Sequence, residues 1–142
     1  MLIEFLETGN GTVVVNSIQP QPVAGAKDSS AIGIVELFQL AWPRDDNGVP
    51  LPGIFSGEVL FQIFDKTTGN YFRSLQAFVL TRFGGVSLVA DQTSIVADAS
   101  SGTLAGSAVA VTLTASGDFS FKVIVPTANP CRESAMGIFL NG

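Results

Sequence analysis

The sequence contains no histidine. That removes the commonest general base at neutral pH, the Ser-His and Cys-His nucleophile pairs, and every imidazole metal ligand. It contains one cysteine, Cys131, so no intrachain disulfide can staple the fold, and the thiol lacks the partners of a zinc or redox centre. Cys131 is read as a small structural side chain. Lys and Arg number seven, scattered, against twelve Asp and Glu, and a net charge of −5 excludes the clustered cations that hold nucleic acid. No apolar run reaches the roughly 18 residues of a membrane-spanning helix, and Glu4 and Glu7 stand where a leader peptide would carry basic residues. The expectation is a chain made in the cytoplasm without a signal peptide, and with neither a nucleic-acid nor a membrane partner.

What is present is apolar bulk. Hydrophobic residues make up 46% of the 142, eleven of them Phe, and only 13% are charged. A chain of this length buries about two-thirds of its unfolded surface in a single core. The low charge content leaves a surface rich in Gly, Ala, Ser and Thr, which points to burial of part of it against other subunits.

Period-two alternation dominates the chain, the mark of strands with one face on a core. Val109, Val111 and Leu113 alternate with Ala110, Thr112 and Thr114; after the turn Ser116-Gly117-Asp118, Phe119, Phe121, Val123 and Val125 continue the rhythm, which predicts a β-hairpin. A second hairpin is predicted from Gly57–Asp65 and Tyr71–Arg82, joined by Lys66 to Asn70. Its arms are apolar on both faces: Val59, Phe61 and Ile63 alternate with Leu60 and Phe64, as Phe78 and Leu80 do with Ala77 and Val79. Such strands are covered on both sides, one cover being a neighbouring subunit. Further strands are expected after the Gly84-Gly85 turn at Val86 to Ala90, then at Thr93 to Ala97, Gly33 to Trp42 and Ala135 to Leu140. The Asp28 to Trp42 segment could be capped as a helix, but Gly33, Ile34, Val35 and Phe38 favour a strand. Residues 1–30 are expected to form an extended arm and linker, with short strands at Leu2–Leu6 and Thr12–Val15 and a Pro-rich linker over 17–30, and residues 31–142 an antiparallel, jelly-roll-like β-sandwich. Leu2, Ile3, Phe5, Val13 and Val15 are the candidate anchoring residues of that arm.

Chemistry is sparse. Asp45 and Asp46 adjoin each other in a Pro- and Gly-rich loop, whereas a glycosidase needs two carboxyl groups facing one another across a groove. The run Asp45-Asp46-Asn47-Gly48 also lacks the spaced ligands and distal Glu of a calcium loop. Gly84-Gly85 leads into a strand, so no helix N-terminus is there to hold a phosphate. Trp42, Tyr71, Phe72 and Phe83 could offer an aromatic platform to a sugar ring; Trp42 and Tyr71, next to turns, are the two ligand-contact candidates. No catalytic residue, cofactor or metal site is expected.

The stretch from about Gly57 to Leu140 resembles a small β-module of bacteriophage tail fibres and accessory virion proteins. The resemblance lies in Gly57-Glu58-Val59, the polar turn Lys66 to Asn70, Leu75 to Arg82, Gly84-Gly85 and Ser87-Leu88-Val89. It continues through the acidic loop Asp91 to Gly106, Val109 to Leu113, Phe121-Lys122-Val123 and the closing Ala135 to Leu140. Two departures are the Met136-Gly137-Ile138-Phe139 run, where the closing strand usually carries Trp, and a longer loop at Pro126 to Pro130. The resemblance implies a sandwich, a homotrimer, and contact with the particle or a host surface. On that basis the leading expectation is a non-enzymatic virion structural protein, either a trimeric capsid decoration or cement protein or a small fibre module, with the major capsid protein or tail proteins as partners. A short chain opening on its own arm tilts this toward the capsid. A host-glycan-binding module using Trp42 and Tyr71 is the alternative, and a hydrolase using carboxylates such as Asp45 and Asp65 comes third.

Overall fold

The computed structural model describes residues 2–7 and 13–18 as backbone and residues 20–141 in full. Eleven strands follow in chain order: β1 (Leu2–Glu7), β2 (Val13–Ile18), β3 (Pro20–Ser29), β4 (Gly33–Leu40), β5 (Gly53–Asp65), β6 (Tyr71–Phe83), β7 (Val86–Ser94), β8 (Ala99–Ser100), β9 (Ala108–Leu113), β10 (Phe119–Val125) and β11 (Cys131–Asn141). A 3-10 turn, Gly102–Leu104, precedes β9. β1 and β2 pair antiparallel, Leu2 opposite Ile18. Leu2, Ile3, Phe5, Val13 and Val15 lie on these two strands, and the anchoring role expected of their side chains lies outside the described residues.

The rest is an antiparallel sandwich, as the alternation predicts. Its large sheet runs β3-β11-β5-β6-β7, with β8 beside β6; its small sheet runs β4-β10-β9. Within the large sheet β5, β6 and β7 form a meander, so successive strands stay in one sheet instead of alternating between sheets as in a jelly roll. Both predicted hairpins form, β5 with β6 and β9 with β10. Gly84 and Gly85 take the left-handed backbone conformation that the β6–β7 turn requires, with φ of 60° and 78°. The strand expected at Thr93–Ala97 is instead the end of β7 followed by irregular chain.

The linker expected over 17–30 is corrected. Pro20–Ser29 is a ten-residue strand paired along its whole length with β11. It is an edge strand, bonded on one side only, where prolines lacking an N–H are tolerated. At Gly25 this strand presses on the β4 backbone: a Cβ there would lie 1.8 Å from the Leu37 carbonyl oxygen. Gly25 thus lets β3 close one side of the sandwich.

The core is aromatic. Phe121 of the small sheet stacks on Phe38 at 4.6 Å, meets the large-sheet ring of Phe78 edge-on at 5.2 Å and lies tilted against that of Phe139 at 5.6 Å. Such offset and edge-to-face pairs add to the burial of the rings. Phe139 is admitted by Gly57 opposite it, since a Cβ at that position would sit 2.6 Å from the ring and 2.2 Å from the Ile138 carbonyl oxygen.

Candidate functional site: the outer face of the large sheet

Alternation along β5, β6 and β11 sends one set of side chains into the core and the other to the outside of the sandwich. The inward set, including Val59, Phe61, Phe78, Leu80 and Phe139, is fully buried. The outward set is also apolar. Across the sheet the register places Met136, Leu60 and Leu75 in one row and Ile138, Glu58 and Ala77 in the next. Leu140, Ser56 and Val79 follow, while Phe64 stands opposite Tyr71 at the far end. Met136 is 66% exposed and Phe64 and Tyr71 about half exposed, so none of the described residues covers this face fully. Shallow depressions mark it, among them one of about 380 Å³ bordered by Gln62, Phe64, Tyr71 and Arg73, one of about 390 Å³ bordered by Glu58, Val79, Ile138 and Leu140, and one of about 350 Å³ bordered by Leu60, Arg73, Leu75 and Val96.

The small sheet presents the opposite chemistry. Apart from Ile34 and Ile124 at one end, its outer face carries Glu36, Gln39, Lys122 and Thr112. Glu36 accepts hydrogen bonds from the Ser120 hydroxyl and from Gln39 Nε2 at 3.2 Å, and the Ser120 bond holds its carboxyl below the usual range. The polar groups of that surface bond to one another, whereas the outer face of the large sheet exposes apolar side chains.

The residues singled out from sequence fall into different places. Trp42 is 3% exposed and is corrected from ligand contact to core: its ring meets Phe55 edge-on at 4.8 Å, and its Nε1–H donates to the Leu51 carbonyl at 2.6 Å. Phe72 is likewise buried, while Tyr71 lies on the outer face and Phe83 projects beside the β6–β7 turn. The aromatic partner that sequence reading missed is Phe64, cross-strand from Tyr71; its position in an apolar run on both faces hid it.

The carboxylates serve the scaffold. Asp45 Oδ1 accepts from the backbone N–H of Asn47 and of Val49, both at 2.9 Å, closing its own loop. Asp65, fully buried, caps the β5–β6 turn by accepting from the N–H of Thr67 and Thr68, and its other oxygen accepts from Thr103 Oγ1 at 2.5 Å and Asn129 Nδ2 at 3.0 Å. The Thr103 bond, with those of Asn129 and Thr67, drives its pKa far below the ordinary range. Asp45 precedes β5 and Asp65 ends it, so a thirteen-residue strand of roughly 40 Å separates their settings, against about 5–9.5 Å in glycosidases. Among the described residues no three Asp, Glu or Cys side chains converge as metal ligands would. Asp28, at the rim of the outer face, accepts from Lys66 at 2.7 Å and Arg132 at 3.0 Å, and the Lys66 bond lowers its pKa. Cys131 is buried, and desolvation raises its thiol pKa.

No protein-family model matches the sequence, and a search of curated proteins finds no match. Among solved structures, the Acinetobacter phage vB_ApiP_P1 tailspike protein aligns with a TM-score of 0.42 and 13% identity, over 87% of this chain and 22% of that one. The tailspike protein of Acinetobacter baumannii phage AM24 aligns with a TM-score of 0.42 and 8% identity, over 87% of this chain and 27% of that one. This chain therefore spans roughly a quarter of either tailspike, and similarity at this level assigns neither a family nor an activity.

Proposed function

We propose that this chain is a non-enzymatic structural protein of a bacteriophage particle, held in place by protein–protein contacts through the outer face of its large sheet. The observation that carries the proposal is the asymmetry of the sandwich. One outer face, Ile34 and Ile124 apart, is polar and internally hydrogen-bonded; the other exposes Met136, Ile138 and Phe64 around the half-buried Leu60 and Leu75. A contiguous apolar surface of this kind is an interaction surface in a folded protein. The phage setting draws on the sequence resemblance around Gly57-Glu58-Val59, Gly84-Gly85 and Ser87-Leu88-Val89. Within it, the chain decorates or cements the capsid or forms a small fibre module, against the major capsid protein or tail proteins and copies of itself. The non-enzymatic part is supported by Asp45 and Asp65, the carboxylates the hydrolase reading would use, which accept from backbone and side-chain donors of the scaffold. Mass spectrometry of density-purified particles is the test: the protein is expected among the virion components in fixed stoichiometry, and its absence there would end the proposal.

One observation favours a second reading. The exposed Phe64–Tyr71 pair flanks Gln62 and Arg73 around a depression large enough for a sugar ring, which suits a host-glycan module. Under that reading Tyr71→Ala abolishes binding to host cells; unchanged binding eliminates it.

A further inference from the structure

We infer that the outer face of the large sheet binds a second copy of this chain back to back about a two-fold axis, with Glu58 of each copy paired to Arg73 of the other. The inference rests on the reading of that face as an assembly surface. Flat sheet faces pack against one another in pairs, about 10 Å apart. β5 and β6 are thirteen residues each, so the face of β3, β11, β5 and β6 measures roughly 40 by 19 Å, about 750 Å², close to the ~800 Å² each partner contributes to a stable complex.

The charges on the face choose the occupant. Among the described residues the ion pairs are Arg44–Asp118, Lys66–Asp28 and Arg132–Asp28, so Glu58 and Arg73 have no partner there. Glu58 stands alone in the apolar band, with Ala77 and Ile138 on either side. Arg73 lies four residues from Ala77 along β6, roughly 13 Å away, and the Leu60–Leu75 pair sits midway between the two charges. A two-fold axis in the contact plane, running across the strands near Met136, Leu60 and Leu75, brings each Glu58 onto the other copy's Arg73. It also seats these three apolar side chains against their equivalents. Without that pairing, covering this face would bury a lone carboxylate, which is costly.

The test is light scattering and sedimentation equilibrium on the purified full chain and on E58K, R73E, the double E58K/R73E and L75R. All four alter outward-facing positions, and far-UV circular dichroism reports whether each variant folds. The wild type is expected to have the mass of a dimer, and each single charge reversal to weaken association at least about tenfold through like-charge contacts. The double reversal is expected to return within about threefold of wild type, and L75R to be monomeric. A monomeric wild type at roughly 100 μM, a trimeric mass, or charge reversals whose effects simply add would overturn the inference. Dimerisation that appears only on removal of residues 1–19 would also overturn it, because the chain would then cover the face itself. The virion reading fails separately: a charge-swappable dimer missing from particles refutes that reading alone, and a particle-bound protein that is monomeric when purified refutes the two-fold contact alone.

Discussion

Replacing Glu133 with Gln should stabilise the protein, and do so more as pH rises. Glu133 sits on the inward side of β11 with no solvent exposure, between Ile63 of β5 and Lys27 of β3 in the register. One carboxyl oxygen accepts from the Ser29 hydroxyl; among the described residues Oε2 has no partner. Burial raises its pKa above 4.5, and the nearby Asp28 carboxylate adds to this, against the Ser29 bond and Lys66. A carboxyl whose folded pKa is raised favours folding below its unfolded value, and that contribution is lost as pH climbs through the folded value. Glutamine is neutral throughout, so the two proteins should be equally stable near pH 4 and diverge to a plateau above the folded pKa of Glu133. An unpartnered buried polar oxygen costs about 1–3 kcal/mol, and a charged one at least that. For a chain of this size that corresponds to a Tm gain of about 3–8 °C at pH 8. Thermal melts of both proteins from pH 4 to pH 8 measure it. A variant less stable than wild type at pH 8, or a difference that ignores pH, would refute the reasoning and mean that Lys27 or water satisfies the carboxylate.

Other consequences follow from single contacts. Gly57→Ala puts a methyl group 2.2 Å from the Ile138 carbonyl oxygen and against the Phe139 ring, and should destabilise by about 2 kcal/mol or more in urea titration; a neutral effect would mean that β11 can shift. Asp28, Glu36 and Asp65 all have lowered pKa values, so their stabilisation is present above their unfolded values near 4 and lost as pH falls below them. Asp65→Ala should flatten that acid limb and speed amide exchange around Gly102–Leu104, and unchanged exchange there would show that Thr103 is held by other means. Trp42→Phe leaves the Leu51 carbonyl without its donor and should cost about 1–2 kcal/mol; a loss of host-cell binding with stability intact would instead return Trp42 to a ligand role.

The parts of the fold legible in sequence were those where period-two alternation met an unambiguous turn. β5 and β6 declare themselves through Val59, Phe61, Ile63, Phe78 and Leu80, and β9 and β10 through the Gly117 turn. The apolar second face was legible too, because Leu60, Val79 and Phe64 interrupt an otherwise polar outward rhythm. β3 was not: Pro20, Pro22, Ala24, Gly25 and Ala26 have low strand propensity, and this stretch becomes a strand because β11 offers a ladder and Gly25 fits against Leu37. The start of β11 was missed for a related reason. Cys131, Arg132 and Glu133 read as polar chain, and only the tertiary context turns Glu133 inward. Adjacency to a turn suggested exposure for Trp42, yet the loop folds back so that Leu51 meets its indole nitrogen.

The central claim is that the outer face of the large sheet is covered when the protein is at work. Hydroxyl-radical footprinting of Met136 in purified particles, compared with the isolated protein diluted to a monomer, tests it most directly. The account predicts strong protection of Met136 in the particle and ready oxidation in the monomer, where the side chain is 66% exposed. Equal oxidation in both would show that this face stays open in the assembly.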